Sequence, residues 1–190
     1  MRCYSSNELT LDIQYMTHQN AHYNKDTISI HLVHEVLLVD FENTLNTESV
    51  LINSGIPLEL LNTSKARVSV SQYAKLWVEL ANLMNDEFFG IDNHPMRRGS
   101  FKFLAKSAMH NETVEKALQH ILQFLNVVLD DFNSQLFVQE NYAYIIIYDQ
   151  KNPKRMFSYA TYLIFIHGLM CWLSRQRVCI QQIQLKCDAP

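Results

Sequence analysis

The clearest pattern of apolar and polar positions runs from residue 70 to 84. Tyr73, Leu76, Trp77, Leu80, Leu83 and Met84 recur at the spacing of one helix face. Ser69, with Gln72 three residues on, matches a capping box and predicts the start of that helix. It ends near Asn85-Asp86, and Gly90 marks a loop. The stretch "GSFKFLAKSAMHNETVEKALQHILQF", residues 99–124, predicts two more helices joined at "HNET". Phe101, Leu104, Ala105, Ala108 and Met109 share one face of the first. Val114, Ala117, Leu118, Ile121, Leu122, Leu125, Val128, Leu129 and Phe132 form one continuous stripe on the second. Asn111 or Thr113 caps it, and Glu112 and Glu115 suit the positive end of its dipole. This stretch is first of all a packed helix pair.

Upstream the pattern is weaker. Ile28, Leu32, Val36 and Val39 predict a helix from Thr27. Thr47 caps "ESVLINS", Gly55 supplies a left-handed stop, and Pro57 opens one more turn, "PLELL". Residues 1–26 are polar, lack a helical period and read as an N-terminal arm, although Leu9, Leu11, Ile13 and Tyr15 alternate as a short strand would. Downstream, "SQLFVQ" and "YAYIIIYD" read as an antiparallel hairpin. Tyr142, Tyr144, Ile146 and Tyr148 fall on one face of it, and Ala143, Ile145 and Ile147 on the other. An apolar helix over 156–173 and a last strand in "RVCIQQIQLKC" complete the list. The order predicts an α+β domain over residues 27–190: a helical N-terminal half, an antiparallel hairpin, a long buried helix and a further strand.

Composition adjusts this picture at several points. The chain of 190 residues is 48% hydrophobic and only 18% charged, below the usual ~25%. Apolar surface is therefore hidden in a core or against a partner. "MFSYATYLIFIHGLMCWL", 156–173, has no Asp, Glu, Lys or Arg and is long enough for a membrane span. Ser158, Thr161, His167 and Gly168 interrupt it, and basic residues flank both ends. A buried core helix has the same character, and no membrane association is expected. A net charge of −3 argues against gripping a phosphate backbone. Arg97-Arg98, Lys151 to Arg155, Arg175 and Arg177 read as solvated loops or helix-end charges. Cys3, Cys171, Cys179 and Cys187 form no CxxC pair, which suits reduced thiols in a cytoplasmic protein. The first residues lack the apolar core of a signal peptide.

Catalytic signatures are missing. "HLVHE", residues 31–35, has the wrong order for a zinc protease, and His18 and His22 lack further ligands beside them. No G-x-S-x-G, P-loop or G-x-G-x-x-G occurs among only four glycines. His167 and Cys171 lie one turn apart on the apolar helix, where packing is the plainer role. Asp130-Asp131 reads as a solvated helix end. The chain is expected to be no enzyme and to hold no metal or cofactor.

One ordered series of residues carries more. Leu51, Gly55-Ile56, Leu60-Leu61, Ala66-Arg67-Val68, Gln72-Tyr73, Asp86 and Gly90 are followed by Gly99, Leu104, Thr113, Ala117-Leu118 and Phe124, then by "VCIQQIQLKCDAP". The series resembles the N-terminal, arabinose-binding-like effector domain of AraC-type transcriptional regulators, over roughly residues 28–190. That resemblance implies a domain that binds a small-molecule effector, self-associates as a homodimer and governs DNA binding by two helix-turn-helix units. The chain stops at Pro190, before the place where relatives carry those units, so DNA contact is expected only through a C-terminal domain missing from it. A purely structural dimerisation module without a ligand is the alternative. An effector pocket is mostly apolar with a few polar anchors. The candidates for it are His120, Phe124, Tyr144, Tyr148, His167 and Trp172, with Arg98 as an anion anchor.

Overall fold

The computed structural model of the 190-residue chain describes residues 8–14, 27–38, 46–140, 142–149 and 154–185. In chain order the elements are β1 (Glu8–Gln14), β2 (Thr27–Ser29), α1 (Ile30–Leu37), α2 (Thr47–Ser54), a 3₁₀ turn (Leu58–Asn62), β3 (Arg67–Ser69), α3 (Val70–Met84), α4 (Ser100–Ala108), α5 (Val114–Val128), β4 (Phe132–Gln139), β5 (Tyr142–Asp149), α6 (Met156–Ser174) and β6 (Cys179–Gln184). The class is α+β with antiparallel strands, as the pattern predicts. Contacts divide these elements into two compact units. One runs from β2 to Ile91 with Pro95–Arg98. The other joins β1, Asp92–His94 and the chain from Gly99 onward.

In the unit that starts at β2, the first helix begins later than its apolar spacing suggests. Ser29 is extended and its hydroxyl accepts from the His31 N–H, so α1 starts at Ile30. Thr27–Ser29 pair instead with β3, and the Arg67 guanidinium donates to both the Thr27 hydroxyl and its carbonyl. Val39 lies outside the described residues. Asn46, not Thr47, caps α2 by accepting from the Ser49 N–H, and Gly55 ends it at φ 73°. In α3 both halves of the Ser69–Gln72 capping box form. Leu76, Leu80 and Ala81 are its buried face, and Trp77 meets Phe89 at 4.1 Å between ring centres.

The turn after α3 is wound around one carboxylate. Asp86 is buried, and its oxygens accept from the N–H groups of Phe88, Gly90 and Met96 at 2.6–2.8 Å. Phe89 and Gly90 both have positive φ. The three bonds hold this left-handed path, which glycine takes freely and phenylalanine does not.

The second unit is built on a four-stranded antiparallel sheet in the order β4-β5-β1-β6. The segment expected to be an arm holds one of its inner strands. Leu9, Leu11 and Ile13 stand at the register positions of Ile147, Ile145 and Ala143. Residues 1–7 and 15–26, with Tyr15, His18 and His22, lie outside the described residues, as do Cys3, Lys151 and Cys187. Along β5, Ile145 and Ile147 are buried while Tyr144, Ile146 and Tyr148 are half-buried, the alternation of a sheet covered on one face. α5 packs along β4, and both α4 and α6 pack against α5. In β6, Gln181 is the extra residue of a bulge opposite Asp12 and Ile13.

Two details of this unit differ from the pattern. The α5 stripe stops at Val128, and Phe132 opens β4 rather than extending the helix. The cause is Asp92, whose carboxylate takes the N–H groups of Asp130 and Asp131 and draws the chain out of the helix. Asp131 is consequently not a solvated helix end. It is buried, with an ion pair to Lys154 at 2.6 Å and two bonds from Asn93. Lys154 is likewise not a solvated loop charge. The helix α6 is apolar and long enough to cross a bilayer, yet half of that stretch is buried inside the protein. Phe157, Tyr159, Tyr162, Ile166 and Met170 are among its buried side chains, as in a core helix.

Candidate functional site

The C-terminal turns of α6 assemble a site-like feature among the described residues. His167 and Cys171, four residues apart, face the same way. The His167 Nε2–H donates to the Val178 carbonyl at 2.8 Å, and the Val178 N–H donates to the Cys171 sulfur at 3.3 Å. One residue, just before β6, is thus held at its N–H and its carbonyl by two side chains of the helix. The Cys171 sulfur lies 3.5 Å from Nε2. Because that nitrogen already spends its hydrogen on Val178, the pair is a clamp rather than a nucleophile with its base.

Beside this clamp opens a cleft of about 480 Å³, lined by Met109, Cys171, Trp172, Leu173 and Arg175. That volume suits a small organic molecule. Trp172 is 54% exposed and Met109 55%. Met109, the C-cap of α4, is exposed although its spacing predicts the apolar face. Arg175 ends α6 in the left-handed region at φ 53°.

The other sequence candidates lie apart from this cleft's lining. His120, on α5, is half-buried, and its Nε2–H donates to the Ser107 hydroxyl of α4 at 2.8 Å, the hydroxyl itself donating to Leu104. Phe124 is half-buried one turn further along α5. Tyr144 and Tyr148 are on β5, opposite Phe137 and Asn133 of β4. Successive residues of a strand alternate in direction. The two tyrosines therefore occupy the face away from Ser134, Ile145 and Ile147, whereas the helices cover the Ser134 face. Arg98 belongs to the unit that starts at β2 and pairs with Glu87 at 3.3 Å. The structure thus brings His167 and Trp172 onto one helix end, and the remaining candidates are not among the described lining residues. Arg175 reads from sequence as a helix-end charge; only its place beside Trp172 and Met109 marks it out.

The electrostatics of the sheet unit are those of a scaffold. Burial alone would raise the Asp131 carboxyl, but the Lys154 ammonium and the bonds from Asn93 outweigh it and hold the group below the usual carboxylate range. Burial drives the Tyr162 phenol far up against the opposing bond from Ser134. Its hydroxyl meets Ser134 at 2.6 Å, and Asn126 completes the network from α5. Among the described residues, no three His, Cys, Asp or Glu side chains converge as metal ligands would.

The positions that carry the resemblance have structural work to do. Gly55 and Gly99 take positive φ, Gln72 closes a cap, and Asp86 with Gly90 forms the carboxylate turn. An α+β domain with a cleft of mixed polarity offers a place for a small molecule. Residues 45–190 match the family model described as the arabinose-binding domain of AraC transcription regulators, N-terminal, and the chain belongs to that family. It is a ligand-sensing regulatory domain of the AraC type, a family that is not a known class of enzyme. No curated protein and no solved structure matches the chain.

Proposed function

We propose that this domain senses a small effector in the cleft at the end of α6 and passes the signal to DNA-binding helix-turn-helix units joined to it, in the cytoplasm. The family match over residues 45–190 carries the reading. The cleft supplies the place: Trp172, Leu173 and Arg175 end the helix whose His167 and Cys171 grip Val178 at the entry to β6. A ligand that favours one arrangement of this clamp shifts the population of the sheet edge beyond it. Transcription is controlled in this way through the attached units, not by this domain gripping DNA.

The test is a thermal-shift screen of metabolites on the wild type, Trp172→Ala, His120→Ala and Tyr148→Phe. A true effector raises the wild-type melting temperature and loses that effect in Trp172→Ala alone. A shift that survives Trp172→Ala but vanishes in His120→Ala or Tyr148→Phe would move the site to α5 or to the outer sheet face.

Self-association is a second reading, as part of this function or in place of ligand sensing. Large apolar side chains stand in the open on the sheet unit: Phe103 and Ile164 at 66% exposure and Val127 at 84%. Surfaces of this composition favour a protein partner.

A further inference from the structure

We propose that the cleft at the end of α6 selects a small organic anion, a molecule with an apolar body and one carboxylate. The inference rests on the reading of this cleft as the effector site and adds the chemical class. Met109, Trp172 and Leu173 offer apolar contact, with a flat indole face and an adaptable thioether among them. The Cys171 sulfur already accepts from Val178, so it adds bulk rather than a polar anchor. Among the described residues, Arg175 is the one charged side chain of the lining. Among the described residues it makes no ion pair, whereas Arg98 is matched with Glu87. A guanidinium fork fits a carboxylate with two parallel bonds.

The opposing field is that of the helix end, whose carbonyls favour a cation. That field amounts to roughly half a charge, against the full charge of the guanidinium. Much of it is also met locally. The Ser174 hydroxyl donates to the Met170 carbonyl at 2.7 Å and reaches that of Cys171 at 3.4 Å, and the Arg175 N–H donates to Trp172. Glycine is the ordinary residue for a left-handed helix stop. An arginine there is not required by the turn, and Arg175 is part of the cleft's described lining.

Calorimetric titration with three probes of one shape decides the matter: 2-naphthoate, 2-naphthalenemethanol and 2-naphthylmethylamine. In the wild type the carboxylate binds at least about tenfold more tightly than the alcohol, as one charge-assisted contact provides. Arg175→Gln removes that preference while alcohol binding stays, and Arg175→Lys restores part of it. Equal binding of all three probes to the wild type, lost in Trp172→Ala, overturns the anion class and leaves the cleft as the effector site. Binding unchanged by Trp172→Ala, or no binding of any probe, overturns the site and the class together.

Discussion

At the scale of single residues, buried carboxylates shape this protein more than any catalytic group. Asp86 and Asp92 each gather three backbone N–H donors and bend the chain around themselves, and Asp131 takes one from Asn93. Asp131 alone also faces a lysine, and that pair gives a pH-dependent prediction. Its folded pKa lies below its unfolded value. The pair therefore stabilises the fold fully above the ordinary carboxylate range, and the contribution fades as pH falls through the folded value. Lys154→Met should cost about 3 kcal/mol near neutral pH, the lower end of what breaking a buried pair costs, because Lys154 is partly exposed. Urea unfolding at neutral pH and in acid checks this. The difference between wild type and variant should shrink well below pH ~3.9; a gap that stays constant with pH would remove the ion pair as its cause.

At the scale of elements, local chemistry shows plainly in the sequence and distant chemistry does not. The capping box of α3, the glycine stop of α2 and the period of α5 depend on neighbours within a turn, so the letters reveal them. The end of α5 depends on Asp92, and the burial of Asp131 on Lys154, both brought in from elsewhere in the chain. A solvated terminus was the natural reading without them. The cleft was legible only through Trp172, since nothing local ties Met109 to Arg175. Within α6 the lone glycine is a weak point. A Cβ at Gly168 would meet no atom within 4 Å, and glycine inside a helix is about 0.5–1 kcal/mol worse than alanine. Gly168→Ala should thus stabilise by that amount, raising the melting temperature by roughly 1–4 °C for a domain of this size. A lower melting temperature would mean that something occupies the open stripe between Ile164 and Trp172.

At the scale of the whole molecule, the exposed apolar side chains make an assembly prediction. Phe103, Ile164 and Val127 should drive concentration-dependent association, and Ile164→Lys should weaken it. Sedimentation velocity over a wide concentration range is the check; a strict monomer throughout would end the self-association reading. The place of β1 has a different consequence, one of timing. This strand is made early, yet both its neighbours, Tyr142–Asp149 and Cys179–Gln184, are made late. Its slot exists only after both of these neighbours have left the ribosome, and closing so large a loop is slow. Until then the sheet unit is an unfinished structure with a bare edge, open to chaperones and proteases. The level of such a sensor in a cell should then follow how fast these strands meet as well as how firmly they hold.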